Sequence, residues 1–212
     1  MVMEIYDRLF AALGPSHWWP GDSSLEIMLG AVLTQNTAWT NVEKAIQQIK
    51  QAGGLSIRLL GEVDEERLAA WIRPAGYYRL KTRRLKNLMT YLLKAWDGDL
   101  KKMADQPVED LRRQLLQING IGPETADSIL LYALELPSFV VDAYTFRILN
   151  RHHLIEEEMS YEDLRQYFME RLPNDPAIYN EYHALLVRLG KDYCKKQQPR
   201  CDFCPLKELG RN

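Results

Sequence analysis

Long apolar runs are missing from this chain, and no stretch is long enough to span a bilayer, so no membrane partner is expected. Apolar and polar residues almost never alternate at a period of two, which points away from strands and toward an all-α fold. Low-complexity tracts and internal repeats are absent as well. The 10 prolines and 12 glycines are scattered, which argues against disorder. Neither sign of charge dominates, because 27 Lys and Arg stand against 29 Asp and Glu. The resulting net charge of −2 excludes a uniformly basic nucleic-acid coat but still permits one local basic face. The opening stretch MVMEIYDRLFAALG mixes charge with apolar residues at helical spacing and lacks an apolar signal core, so a cytoplasmic location is expected. Cysteine is scarce too. Cys194, Cys201 and Cys204 all fall near the C-terminal end, an odd number set too close together for a disulfide framework, and metal or cluster ligation explains them better.

What is present is helical periodicity. Ile5, Leu9, Ala12 and Leu13 start the pattern, and Leu25, Met28, Leu29, Val32 and Leu33 continue it. Breaks fall at Gly14-Pro15, Gly21-Asp22-Ser23, Gly53-Gly54, Arg73-Pro74, Asp105-Gln106-Pro107, Leu136-Pro137 and Pro173 to Pro176, which predicts about ten short helices. With 46% apolar residues, 212 positions can bury a core in one large domain or two small lobes. The expected division is a six-helix lobe over 24–136 and a second helical lobe made of 1–23 with 137–212, ending in a cysteine loop at 194–212.

Residues 116–128 carry the first chemical signal. Leu116-Gln117-Ile118-Asn119-Gly120-Ile121-Gly122 sets two glycines around one apolar residue between helical runs. Such a turn can be tight, and the helix that opens near Pro123 offers free N–H groups to an anion such as a DNA phosphate. An ordinary helix-to-helix connection would look the same taken alone. After that helix come Phe139-Val140-Val141 and then Asp142, a carboxylate behind three apolar residues.

With LGAVLTQNT at 29–37, IRPAGYYRLKTRRL at 72–85, INGIGPETAD at 118–127, VVDAYTFRIL at 140–149 and the C-x6-C-x2-C tail, the chain resembles the helix-hairpin-helix DNA glycosylases of the endonuclease III superfamily. The resemblance implies two helical lobes with the active site in the cleft between them, a monomer, and damaged double-stranded DNA as partner. Asn119, Gly120, Ile121, Gly122 and Thr125 are then the DNA-binding hairpin. Asp142 becomes the catalytic carboxylate, since cleaving an N-glycosidic bond builds positive charge on the sugar. Capping of the helix that follows is its commoner use, and both roles are compatible. Gln35 resembles the family's glutamine that fills the gap left by a flipped nucleotide, with Asn36 beside it, although helix capping over 34–37 is an alternative use of both. Family members that also cut the strand carry a lysine two residues after the second hairpin glycine. Here that position is Glu124, which cannot form a Schiff base, so water is the expected nucleophile.

A flipped base needs flat apolar faces, and Trp18, Trp19, Pro20 and Trp39 can supply them if they are not simply core residues. Tryptophan faces favour cationic bases such as ring-methylated purines. Together with Glu124, these residues are most similar to the 3-methyladenine glycosylase branch. An endonuclease III-like glycosylase and lyase for oxidised pyrimidines, or a non-catalytic DNA-binding protein, are the competing readings. In the basic run Arg79, Lys81, Arg83, Arg84 and Lys86, some members must be plain solvated surface. The cysteine spacing agrees with the first three ligands of the family's iron–sulfur loop, which implies a [4Fe–4S] cluster, but the fourth ligand is missing at Gly210. Zinc completed by His152, His153 or His183, or free thiols, are the alternatives.

Overall fold

A computed structural model describes residues 1–156 and 158–209. It is all-α, with no strand among the described residues. The chain separates into two compact units, one built from residues 1–19 and the chain from Pro137 onward, the other from residues 20–136.

In the unit of residues 20–136, α2 (Ser24–Leu33) is apolar on nearly every side, and such a helix must be buried all round. Met28, Leu29, Val32 and Leu33 are fully enclosed. The Ser23 hydroxyl starts this helix by accepting from the Glu26 N–H. Against it pack α3 (Trp39–Gln51), α6 (Tyr78–Trp96) and α9 (Pro123–Ser128), while α4 (Ile57–Glu62), α5 (Glu65–Trp71) and α7 (Leu100–Ala104) pack on α6, and α8 (Val108–Leu116) packs on α9. The helix expected over 123–134 changes character on the way: α9 gives way at Ile129–Ala133 to a π-helical turn that packs against α2. In α6, Lys81, Thr82, Leu85, Leu88, Met89 and Leu92 recur every three or four residues and form the buried face.

The other unit holds α1 (Val2–Leu13), α10 (Ala143–Arg151), α11 (Tyr161–Met169) and α12 (Pro176–Asp192). α1 packs against α12, and the Tyr182 hydroxyl donates to the Val2 carbonyl at 2.8 Å. Phe139 stacks on Phe168 with centroids 4.1 Å apart, while Tyr179 and Tyr182 meet its ring edge-on. The apolar run at 139–141 is thus the centre of this core, and its burial carries the chain up to Asp142.

Candidate functional site

The hairpin between α8 and α9 has the geometry that two glycines around an isoleucine allow. Ile121 is buried in the core of its unit and its N–H donates to the Ile118 carbonyl at 3.0 Å, closing the turn. Asn119, Gly122 and Glu124 are exposed, whereas Thr125 is buried. Gly120 has φ +95°, and a Cβ there would lie 2.3 Å from Cγ of Arg84. Gly120→Ala therefore meets both backbone strain and a collision. It should destabilise the protein by at least about 1 kcal/mol and weaken DNA binding about tenfold. Thermal unfolding and fluorescence anisotropy with a duplex would show it, and unchanged values in both would refute this reading of the turn.

Gln35 lies directly on the hairpin. Its Nε2 donates to Thr125 Oγ1 at 2.8 Å and to the Gly120 carbonyl at 3.3 Å, and its Oε1 accepts from the Arg84 guanidinium. Asn36 is exposed and takes a left-handed conformation, φ +53°. The turn that carries both is tied from below by Lys81. Its ammonium donates to the Leu33 carbonyl at 2.7 Å, Thr37 Oγ1 at 2.6 Å and the Ala75 carbonyl at 2.8 Å. Burial, and after it the Arg84 charge, lowers this amine to about 8. The basic run thus divides by helix face: Lys81 caps, Arg84 holds Gln35, Lys86 binds the Gly61 and Val63 carbonyls, and only Arg79 and Arg83 are exposed.

In the other unit, Asp142 caps α10 through a capping box. Its Oδ1 accepts from the Thr145 N–H at 2.8 Å and from Thr145 Oγ1 at 3.0 Å. Its Oδ2 lies 3.5 Å from Nε2 of His183 on α12. The two side chains are nearly enclosed, 12% exposed for Asp142 and 7% for His183. Burial pushes the carboxyl up, but His183 and the Thr145 donors outweigh it and hold Asp142 below its ordinary value. The result is a desolvated carboxylate kept charged, with one oxygen occupied by the helix cap.

Trp18 and Trp19 belong to this same unit and meet edge to face with centroids 5.5 Å apart. Lys191 of α12 lies 5.7 Å from the Trp18 ring centre. The segment before them is tied to α12: Arg188 donates to the Gly14 carbonyl at 2.8 Å, and the Ser16 N–H donates to Glu181 at 2.9 Å. Pro20 and Trp39 belong to the other unit, where they line an open pocket of 350 Å³ with Asp22, Glu26 and Lys50.

Among the described residues the cysteine tail shows no ligand set. Cys194 and Cys204 are buried and Cys201 is exposed, and among the described residues no three His, Cys, Asp or Glu side chains converge to hold a metal ion. Burial, and secondarily the neighbouring Cys194 and Cys201, raise the Cys204 thiol. Cys194 Sγ instead accepts from Arg151 at 3.1 Å, and its carbonyl accepts from Arg147 at 2.7 Å. Nothing among the described residues confirms the four-iron cluster, and Gly210 lies outside them. Nor does His183 serve as a zinc ligand, because it faces Asp142.

Sequence reasoning missed Arg84 and Lys81 as supports of Gln35, and His183 as the neighbour of Asp142. A histidine among Tyr179, Tyr182 and Leu186 on the buried side of α12 was the available signal for the last.

A family model described as "HhH-GPD superfamily base excision DNA repair protein" matches residues 29–174, more than half of the chain. Over 211 residues, 99% of this chain and 95% of the relative, the sequence is 46% identical to a candidate DNA repair glycosylase of Methanocaldococcus jannaschii. It is 26% identical to endonuclease III of Sulfolobus acidocaldarius, covering 85% of this chain and 78% of that protein. The fold is similar to that of the H. pylori 3-methyladenine DNA glycosylase bound to 1,N6-ethenoadenine, with a TM-score of 0.76, 28% identity and coverage of 90% and 97% of the two chains. An endonuclease III–DNA complex gives a TM-score of 0.83 at 22% identity, covering 99% and 94%, a likeness of fold.

Proposed function

The chain belongs to the HhH-GPD superfamily of base excision DNA repair proteins, as a DNA glycosylase, and we propose that it is a monofunctional member that hydrolyses the N-glycosidic bond of alkylated bases such as 3-methyladenine. The observation that carries this reading is the Asp142 carboxylate, desolvated yet held ionised, with Oδ2 left over from the helix cap. As the bond to the base lengthens, positive charge grows on the sugar. A fixed anion stabilises that charge, and the same oxygen can accept the proton of the attacking water. The hairpin at Asn119 to Gly122, with Thr125, binds backbone phosphate without reading sequence, and Gln35 fills the place of the flipped nucleotide.

Three features support the alkylated substrate and the absence of strand cleavage. Glu124 stands where a lyase needs its amine, and Pro123 and Thr125 offer none in its place. Methylation of a purine ring nitrogen makes the base cationic, which suits the faces of Trp18, Trp19 and Trp39 and weakens the bond to be broken. The similar H. pylori protein is a 3-methyladenine DNA glycosylase. Lys191 beside Trp18 counts against a permanently cationic base in that position and favours Trp19 as its platform.

The test is a base-release assay on alkylated DNA beside a duplex carrying oxidised pyrimidines, with freed bases identified. Release of methylated purines is expected, and release of oxidised pyrimidines alone would overturn the proposal. Borohydride treatment during turnover should trap no enzyme–DNA adduct. A covalent adduct, together with efficient cutting of abasic strands, would restore the lyase reading.

A further inference from the structure

A carboxylate that performs chemistry must present one oxygen in a fixed direction. In Asp142, Oδ1 is held by the two Thr145 donors, so Oδ2 is the oxygen left for substrate or water. The His183 imidazole faces that oxygen at 3.5 Å. Its approach is set by the helix pairing: α10 and α12 pack together, and a Cβ on Gly190 would fall 2.3 Å from Cδ1 of Tyr144. Gly190 lies seven residues beyond His183, on the same face of α12, so this close approach aligns the imidazole with the N-terminus of α10. Arg147 fastens the same pairing, donating to the Gly190 carbonyl at 3.1 Å.

We propose that His183 is a positioning residue for base excision, orienting Oδ2 of Asp142 through its Nε2. This rests on the reading of Asp142 as the reacting carboxylate. The contact is longer than a hydrogen bond, as catalytic contacts commonly are before substrate arrives, and it tightens when the sugar is bound. The other charged groups of α10 are engaged elsewhere: Arg147 and Arg151 donate to carbonyls at Gly190, Cys194 and Lys195. From α11, the Tyr161 hydroxyl accepts from the Val141 N–H at 3.4 Å. His183 is the titratable partner that opposes the effect of burial on Asp142.

Two substitutions separate position from packing. His183→Gln places an amide nitrogen near the site of Nε2, whereas the shorter amide of His183→Asn reaches only the site of Nδ1. Single-turnover base release from methylated DNA should fall roughly 10- to 100-fold in His183→Asn, with DNA affinity unchanged. His183 lowers the Asp142 carboxyl, so its loss raises it, and the ionised form disappears at a higher pH. The acid limb of the rate profile should therefore move toward neutrality in His183→Asn and stay nearer the wild type in His183→Gln. A purely structural role would scale the rate without moving the limb, and a wild-type limb in His183→Asn overturns the proposal. If His183→Asn fails to fold, carbon-13 titration of the Asp142 carboxyl decides. It must respond to the imidazole titration in the wild type and lose that response in His183→Gln, and its indifference in the wild type overturns the proposal. Asp142→Asn in the same assay separates the two ideas: retained excision there defeats the Asp142 reading, whereas loss there with a wild-type His183→Asn defeats only this inference.

Discussion

Asp142→Asn should lower the rate of base release about 10³-fold while leaving DNA affinity and thermal stability close to those of the wild type. Asparagine caps helices as well as aspartate does, so α10 still starts at Ala143. The Thr145 N–H can donate only to an oxygen at Oδ1, which fixes the direction of the new amide. Its nitrogen then takes the place of Oδ2, the atom assigned to the chemistry. The substitution thus removes one charged oxygen and little else, and the split between rate and affinity is the measurement. Single-turnover excision on methylated DNA gives the rate, and anisotropy gives the affinity. Excision at near the wild-type rate would show that another group carries the reaction. Loss of both excision and binding would place Asp142 in the DNA interface instead.

Much of the fold was legible because helix ends obey local chemistry. Two of the breaks hold the caps themselves, since Ser23 and Asp175 accept from the backbone N–H groups that open α2 and α12, whereas the same role of Ser56, Asp64, Asp99 and Ser160 emerged only from the fold. The all-helical class follows from spacing alone. The π-helical turn at Ile129–Ala133 was not legible, since ILLYA is apolar throughout and nothing local tells a wider turn from an ordinary one. The hairpin could be read from its glycines, but one of the two reasons Gly120 must be glycine, the close approach of Arg84, lies 36 positions earlier in the chain. The run of Arg79 to Lys86 shows the same limit. As a string it is a patch of positive charge, and only the rotation of α6 turns Lys81 inward to three acceptors and leaves Arg79 and Arg83 to solvent. The partnership of His183 with Asp142 spans 41 residues and depends on how two helices pack, which no local pattern encodes.

Asp127→Ala should cost about 3–5 kcal/mol, a fall in melting temperature on the order of 10 °C for a chain of this size. Arg112 on α8 meets Asp127 on α9 with both arms of its fork: Nε donates to Oδ1 at 2.8 Å and an amino group donates to Oδ2 at 3.1 Å. The side chains are 8% and 0% exposed, so neither charge can turn to water when the other is removed. The pair joins the two helices of the hairpin from beneath. Truncating the carboxylate removes both acceptors of the fork from a buried guanidinium, and the cost falls on the packing of the two helices. The double variant Arg112→Met with Asp127→Leu should recover most of the lost stability, because apolar side chains of similar volume replace a buried ion pair at little or no cost. DNA affinity then reveals what the pair is for. If stability returns but affinity stays low, the fork holds the hairpin in its phosphate-binding shape, and the apolar pair has kept the helices together at the wrong angle. If both return, the pair is a fastening that other packing can replace. An Asp127→Ala variant within 1 kcal/mol of the wild type in chemical denaturation would show that the guanidinium finds water or another partner, and that the hairpin does not depend on the fork.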